Sequence, residues 1–364
     1  MAAAMKRSGR APDASSKIPL PHPDQKECES LLVVQGLDVV YRTRELRLRA
    51  LHDVSFDVRP GQIVGVVGES GCGKSTLSAA LMRLLPPNGE ITSGSIRFQG
   101  RDLSSLTPEQ IRQMRGREMA MIFQDPLTSL NPTFTVGTQL IDVQAAHRQG
   151  HRDRALLRDR AVKMLTNVGI PDAVERINDY PHQFSGGMRQ RIMIAMTLIL
   201  EPQLLIADEP TSALDVTLEA QVLELLRRLR ADKGTAILFI SHDLGVVAQL
   251  CDRVVVMYAG RAVEDGDVES LFERPLHPYT KALLETVPSR ERRGERLATI
   301  PGRVPSLSAL PSGCKFAPRC SFVQEVNRGK EPRYLEVDGR HVRCNMYDPA
   351  SGYQGAGIQQ LENG

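Results

Sequence analysis

The sequence lacks an apolar run long enough to cross a membrane. Its longer apolar stretches, such as residues 253–258 (RVVVMY), are far shorter than the roughly 20 residues that a membrane-spanning helix needs. No apolar signal segment follows Met1. We therefore expect the chain to stay in the cytoplasm unless another protein holds it at a membrane.

The chain also lacks a strong excess of charge of either sign. Lysine and arginine number 46 against 43 acidic residues, which gives a net charge of +3. So small a surplus, without a long basic run, argues against nucleic acid as the partner. With 41% apolar residues in 364, the sequence instead predicts a globular protein. Its length suggests roughly two to three domains.

Cysteines are few, and their placement is uneven. Three of the six are scattered along the chain, and three lie close together near its end, at Cys314, Cys320 and Cys344. In a chain without a secretion signal, grouped cysteines bind metal more often than they form disulfides. The late group is therefore a candidate metal site, whereas isolated cysteines are usually small buried apolar residues.

The sequence does contain a phosphate-binding loop. The apolar run 63–67 (IVGVV) leads directly into residues 68–75 (GESGCGKS), which fit the pattern G-x-x-x-x-G-K-[ST]. Glycines let backbone N–H groups approach phosphate oxygens at a helix N-terminus, and the lysine adds a positive charge. The Ser75 hydroxyl is predicted to hold Mg²⁺. The residues predicted to bind nucleotide here are Gly68, Glu69, Ser70, Gly71, Cys72, Gly73, Lys74, Ser75 and Thr76.

Two carboxylates end a wholly apolar predicted strand. Residues 204–207 (LLIA) are followed by Asp208 and Glu209. An acid at a strand tip beside a phosphate loop can bind Mg²⁺ directly or through water, and we assign this role to Asp208. Glu209 is placed to polarise a water for attack on the γ phosphate, as a general base. Two acids ending a strand in solvent would not explain the apolar strand before them.

Gln124 and His242 also follow predicted strands, over residues 119–123 (MAMIF) and 236–240 (AILFI). Side chains at such strand ends usually line the ligand crevice of an open α/β sheet. We therefore expect Gln124 to line this crevice and His242 to contact the γ phosphate. An isolated glutamine is more often merely solvated, and an isolated histidine is more often structural.

From about residue 126 to 200 the pattern is mostly helical and highly charged, which predicts an inserted helical subdomain. The insert includes residues 184–188 (FSGGM), in which Ser185, Gly186 and Gly187 precede a helix and offer bare backbone amides to an anion. Alone this would be weak evidence, because Ser-Gly-Gly is common in loops.

The ordered set of these features resembles the ATP-binding subunit of ABC transporters. The set also includes residues 212–215 (SALD), and the resemblance covers about residues 31–288. It implies an α/β fold: an ABC-type P-loop ATPase core with an antiparallel β subdomain and a helical subdomain, binding ATP and Mg²⁺. It further implies that Tyr41 stacks on adenine, although composition alone favours packing, and that Asp215 ends the D-loop at the nucleotide.

A closer resemblance is to the oligopeptide/dipeptide importer ATPases, which have nickel and glutathione relatives. Residues 122–126 (IFQDP), 185–191 (SGGMRQR) and 277–280 (HPYT) carry it. It implies an ATPase that powers peptide uptake from the cytoplasmic face of the inner membrane. The implied partners are a second ATPase subunit, two membrane-spanning permease subunits and an extracytoplasmic solute-binding protein. Import of nickel, glutathione or another small solute stays open, and export is the runner-up.

The chain has one phosphate loop, one signature and no internal repeat, so it cannot by itself clamp ATP between two such elements. Residues Ser185, Gly186 and Gly187 are therefore expected to face the partner's ATP. A soluble ABC ATPase of DNA repair would need long coiled coils, and a translation-associated one would need two cassettes. The sequence shows neither feature.

The predicted domains are a disordered tail at 1–30, a nucleotide-binding domain at 31–288 and a C-terminal extension at 289–364. In the importer family, this extension carries four cysteines that hold an iron–sulfur cluster. Cys314, Cys320 and Cys344 match three of them, whereas the fourth position is Asn327. The resemblance favours an iron–sulfur cluster. A zinc site using His341, or a cysteine group without metal, are the alternatives.

Overall fold

The structure is a computed structural model that describes residues 30–123, 130–147, 153–212, 215–287, 299–355 and 361. Almost all of the predicted N-terminal tail lies outside these ranges, and so do Gln124 and residues 213–214 of the predicted D-loop. The predicted domain boundaries stay predictions.

The described strands, in chain order, fall into two sheets. They are β1 (Leu32–Arg42), β2 (Arg47–Val58), β3 (Ile63–Val67), β4 (Gly89–Phe98), β5 (Arg101–Asp102), β6 (Met119–Ile122), β7 (Leu204–Asp208), β8 (Ala236–Ser241), β9 (Arg253–Tyr258), β10 (Arg261–Asp267), β11 (Leu335–Val337) and β12 (Arg340–Val342).

The described α-helices lie between and after these strands. They are α1 (Lys74–Leu81), α2 (Pro108–Met114), α3 (Val136–His147), α4 (Arg154–Asn167), α5 (Ala173–Arg176), α6 (Gly186–Leu198), α7 (Val216–Lys233), α8 (Leu244–Leu250), α9 (Val268–Glu273), α10 (Pro278–Glu285) and α11 (Glu325–Gly329). No helix in the described ranges combines the length and apolar character that a membrane span requires.

The smaller sheet is antiparallel, in the order β2-β1-β4-β5. The larger sheet has the order β11-β12-β10-β9-β3-β8-β7-β6, and its five strands from β9 to β6 run parallel. This arrangement confirms the α/β fold with an antiparallel β subdomain that the sequence predicts.

Strand β3 shows why the parallel strands read as unbroken apolar runs. Ile63 and Val67 pack in one hydrophobic cluster, whereas Val64 and Val66 pack in another. Alternate residues of a strand point to opposite faces of a sheet, so both faces of β3 are buried. At β3 the larger sheet therefore lies inside the protein, and a ligand can meet this strand at its ends.

Helices α3, α4 and α6 pack on one another, and α6 also packs on β6 at the edge of the larger sheet. They fall within the predicted helical subdomain. At the opposite end of the same sheet, β12 of the C-terminal extension pairs with β10. The extension therefore continues the sheet of the ATPase core.

Arg253 connects the two sheets. Its guanidinium donates to both carboxylate oxygens of Asp265 on β10, at 2.7 and 2.6 Å, and to Asp57 on β2, at 2.8 Å. The side chain of Asp265 is only 2% exposed, and burial raises its pKa even though Arg253 opposes the shift. Without the arginine, this carboxyl group would have to be buried unpaired or protonated.

We expect Arg253→Met to lower the free energy of unfolding by about 3–5 kcal/mol, because it leaves the buried Asp265 carboxylate without its charge partner. Arg228→Met is the matched control. It removes a 70% exposed arginine that pairs with Glu224 one helical turn away, and it should cost less than about 1 kcal/mol. Urea denaturation of both variants measures the difference, and equal losses would contradict this account of Arg253.

Candidate functional site

The phosphate loop joins β3 to α1 and is shaped by glycines with positive φ. Gly68 has φ 153°, and a Cβ there would lie 2.2 Å from the carbonyl oxygen of Met257, so a side chain does not fit. Gly73, at φ 110°, caps the start of α1. The Lys74 ammonium is buried and donates to the carbonyl oxygens of Gly68 at 2.7 Å and Glu69 at 3.3 Å. The loop thus folds around its lysine.

Asp208 ends β7 beside this loop. The residue is 4% exposed, and its Oδ2 accepts a hydrogen bond from the Ser78 hydroxyl at 2.8 Å. Its Oδ1 is buried and has no hydrogen-bond partner among the described residues. Burial raises the pKa of Asp208, although the hydrogen bond from Ser78 and the charge of Lys74 oppose this. A buried carboxylate oxygen without a donor fits a bound Mg²⁺ or one of its water ligands.

Glu209 and His242 follow neighbouring parallel strands, and the structure brings them together. The Nδ1 of His242 lies 3.4 Å from Oε1 of Glu209. Glu209 has a positive φ of 48°, and its N–H donates to the carbonyl oxygen of Ile240 on β8 at 2.9 Å. The side chain of Glu209 is 16% exposed and that of His242 is 61% exposed. The carboxylate is thus sheltered at the sheet edge, whereas the imidazole faces solvent.

Tyr41, on β1, lies next to the start of α1. Its hydroxyl is 3.3 Å from the Thr76 hydroxyl, and a Cβ at Gly89 would come within 2.9 Å of its ring. The ring is half-buried, so it both packs in the antiparallel sheet and keeps an accessible part. Its role in binding adenine stays a prediction.

The signature residues lie at the start of α6. The Ser185 side chain caps this helix by accepting from the Met188 N–H at 3.3 Å, and Gly186 is exposed. Helix α6 packs on β6, and β6 lies three strands, or about 14 Å, from β3, the strand that leads into the phosphate loop. The helix that carries the signature and the phosphate loop are therefore attached to different strands of the larger sheet.

The start of α6 packs against α7. A Cβ at Gly187 would lie 2.4 Å from a methyl group of Leu218, so glycine permits this close approach. Asp215 caps α7 by accepting from the Leu218 N–H at 2.9 Å. The signature and the end of the predicted D-loop are thus neighbours. Gln124 lies outside the described residues, two positions after the end of β6.

The chain matches known families in two regions. The sequence pattern of the ABC transporter family matches residues 51–212, and that of the C-terminal region of oligopeptide/dipeptide transporters matches residues 263–326. A peptide import ATP-binding protein of Brucella melitensis is 49% identical over 329 residues, covering 87% of this chain and 97% of its own. A peptide ABC transporter ATP-binding protein of Sinorhizobium fredii is 50% identical, covering 87% and 94%.

This chain belongs to the oligopeptide/dipeptide ABC transporter ATPases. Solved structures agree on the fold of this ABC ATPase. CbiO1 of Clostridium perfringens, part of the ABC transporter complex CbiONQ, has a TM-score of 0.58 and 27% identity, covering 67% of this chain and 91% of its own. The ATP-binding cassette MJ0796, solved as a dimer with ADP and phosphate, has a TM-score of 0.59 at 24% identity, covering 65% and 98%.

The cysteines of the C-terminal extension do line one cavity. Cys314, Cys320, Cys344 and Asn327 contribute to its walls, and its volume of about 10 Å³ is room for about one water molecule. The side-chain oxygen of Asn327 already accepts from the Gln324 N–H at 2.7 Å. His341 is not among the residues that line this cavity and stacks instead on Tyr334, with ring centroids 5.3 Å apart.

This donor set does not fit a four-iron cluster. Three thiols and a hydrogen-bonded amide stand where such a cluster needs four thiolates. In the described ranges, no group of three or more His, Cys, Asp or Glu side chains is arranged to hold a metal. Burial raises the pKa of Cys320 to about 11 and also raises those of Cys314 and Cys344. Burial therefore favours the neutral form of all three thiols, as in an ordinary apolar core.

Three residues at the nucleotide site were not assigned a role from the sequence. Ser78 lies three positions after Ser75, so helical spacing places it one turn further along α1. Tyr279 and Arg319 both contact Glu69 in the phosphate loop. Tyr279 belongs to the HPYT motif, but neither residue carries a sequence signal for this contact.

We expect Asp208→Asn to stabilise the nucleotide-free ABC ATPase by on the order of 1 kcal/mol at neutral pH, because it removes a buried charge whose Oδ1 lacks a donor. The same change should lower Mg²⁺-dependent ATP hydrolysis by about 10- to 100-fold. Thermal unfolding without nucleotide and steady-state ATPase assays measure the two effects. A destabilised variant with normal ATPase activity would contradict this view of Asp208.

Elemental analysis of anaerobically purified protein should find neither iron nor zinc in stoichiometric amount. Asn327→Cys is the matched variant, because it supplies the thiolate that the importer family carries at this position. After anaerobic reconstitution with iron and sulfide, it should retain more iron than the unmodified protein. Stoichiometric iron in the unmodified protein would show that three cysteines suffice.

Proposed function

We propose that this chain is the ATP-hydrolysing subunit that powers uptake of di- or oligopeptides through a pair of membrane permease subunits. In this proposal, MgATP drives closure of the chain against a partner ATPase. Relatives named for peptide import support peptides over nickel or glutathione as the transported solute. The assembly would lie on the cytoplasmic face of the inner membrane and receive peptides from an extracytoplasmic solute-binding protein.

One observation supports pairing with a second ATPase subunit. The signature lies at the start of α6, which packs on β6, whereas the phosphate loop follows β3, three strands away in the same sheet. The two halves of an ATP clamp therefore lie at separate places in one chain. A second ATPase subunit would bring its signature to this phosphate loop. Ser185, Gly186, Gly187 and Asp215 of this chain would then serve the partner's ATP.

The proposed chemistry at the phosphate loop gives each of the predicted side chains a role. ATP is the substrate, with Tyr41 at its base and residues 68–76 around its phosphates. Ser75 and Asp208 would hold Mg²⁺, which neutralises charge on the β and γ phosphates when bound. The Lys74 ammonium, now paired with two loop carbonyls, would exchange these for phosphate oxygens.

Glu209 and His242 would act on the attacking water. Glu209 accepts its proton as general base, and the sheltered position of the carboxylate keeps it free of bulk water. His242 lies 3.4 Å from this carboxylate and would contact the γ phosphate. Gln124 would pass the presence of that phosphate to the helical subdomain and so to the permease. Closure would drive transport, and hydrolysis would reset the assembly.

We expect Glu209→Gln to leave MgATP binding intact while hydrolysis falls by about 10²- to 10⁴-fold, because the amide cannot accept the proton. The measurement uses the complex co-purified with its permease and ATPase partners. Glu224→Gln, on the exposed face of α7, is the control and should keep full activity. An unchanged rate in the Glu209 variant, or full activity of this chain without any partner, would contradict the proposal.

A further inference from the structure

Glu69 of the phosphate loop is held by residues from beyond the ATPase motifs. Its N–H donates to the hydroxyl of Tyr279 at 2.9 Å. Its carboxylate accepts two hydrogen bonds from the Arg319 guanidinium, from Nη1 at 2.7 Å and from Nη2 at 3.0 Å. Both partners lie within residues 263–326, the region that matches the C-terminal pattern of oligopeptide/dipeptide transporters. This loop residue is thus fixed from outside the ABC cassette pattern.

Arg319 is itself rigidly placed. Its side chain is 4% exposed, and its Nε donates to the carbonyl oxygen of Pro301 at 2.8 Å. Its guanidinium also lies over the rings of Tyr258 and Phe316, at 5.8 and 6.0 Å from their centroids. A planar, buried guanidinium with a two-pronged carboxylate contact fixes both position and orientation of its partner.

The same residue of the loop also faces Lys74. The carbonyl oxygen of Glu69 accepts from the Lys74 ammonium at 3.3 Å and from the Cys72 N–H at 3.2 Å. The N–H, carbonyl and carboxylate groups of Glu69 are therefore all engaged. A shift of Glu69 would move the carbonyl that positions the phosphate-binding lysine.

We propose that Arg319 is a positioning residue for nucleotide binding, so that the C-terminal extension sets the MgATP affinity of this subunit. Two physical effects act together. The ion pair holds the phosphate loop in shape before ATP arrives, which reduces the ordering cost of binding. It also neutralises a carboxylate that would otherwise repel the phosphates from within their own loop. The inference rests on MgATP binding at this loop and does not depend on the partner ATPase.

The test is titration of the purified full-length chain with a fluorescent ATP analogue, N-methylanthraniloyl-ATP, in the presence of Mg²⁺. Arg319→Met should raise the dissociation constant about three- to tenfold, the range expected for an ion pair whose arginine is buried and whose Glu69 carboxylate is 28% exposed. Arg319→Lys keeps the cation but cannot form the two-pronged contact, so its affinity should lie between those of Arg319→Met and the unmodified chain.

Arg343→Met is the matched control. Arg343 is another buried arginine of the extension, 5% exposed, and its Nη2 donates to Asp53 on β2 at 2.9 Å rather than to Glu69 of the phosphate loop. This variant should change the dissociation constant less than about twofold, even where it lowers the thermal midpoint as much as Arg319→Met does. Equal weakening by both arginine variants would overturn the proposal, because any loosening of the extension would then suffice.

A double-mutant cycle with Glu69→Gln tests the direct contact. Arg319→Met should weaken binding strongly when Glu69 is present and less than about twofold in the Glu69→Gln background. Effects that simply multiply would show that Arg319 acts by another route and would overturn the proposal. If the unmodified chain binds the analogue normally but the assembled transporter is inactive, the result contradicts the proposed function and not the role of Arg319.

Discussion

Parallel hydrogen bonding of β3 with β8, and of β8 with β7, brings together chain segments that lie far apart in the sequence. The carboxyl ends of parallel strands meet at one edge of a sheet, so Lys74, Asp208 and His242 converge without any direct sequence proximity. Every residue of these three strands is buried, so a ligand meets them at their ends. The rest of the site depends on that pairing.

The nucleotide-free site keeps groups that a stable core would avoid. Lys74 is 6% exposed and Asp208 is 4% exposed, and one oxygen of this aspartate lacks a hydrogen-bond donor among the described residues. Glu209 holds a positive φ that non-glycine residues adopt infrequently. These features oppose folding, and in the proposed function bound Mg²⁺ or one of its water ligands would supply the missing partner of Asp208. The free energy of unfolding is thus lowered by the same residues that nucleotide binding requires.

Local patterns predicted the parts of this site that depend on neighbouring residues. The phosphate loop, the strand-end acids Asp208 and Glu209, and the helix start at Ser185 each combine a short motif with a strand or a helix. The contact between Arg319 and Glu69 joins residues 250 positions apart, and it depends on how the extension docks. Such a contact can be identified from the three-dimensional structure but not from local sequence patterns. Asn327 was predictable in part: the sequence shows that a cysteine is missing at this position, but not that the Asn327 side chain accepts a helix-capping hydrogen bond.

Among the described residues of the extension, three buried arginines form ion pairs with the ATPase core. Arg319 reaches Glu69, Arg340 reaches Glu264 on β10, and Arg343 reaches Asp53. The Arg340 and Arg343 contacts lie beside β12, which already hydrogen-bonds to β10, and add to sheet pairing. The Arg319 contact lies elsewhere, on the phosphate loop. Because these three contacts use arginine and backbone rather than thiolates, docking of the extension can persist without a metal. Its influence on nucleotide binding then passes through Glu69.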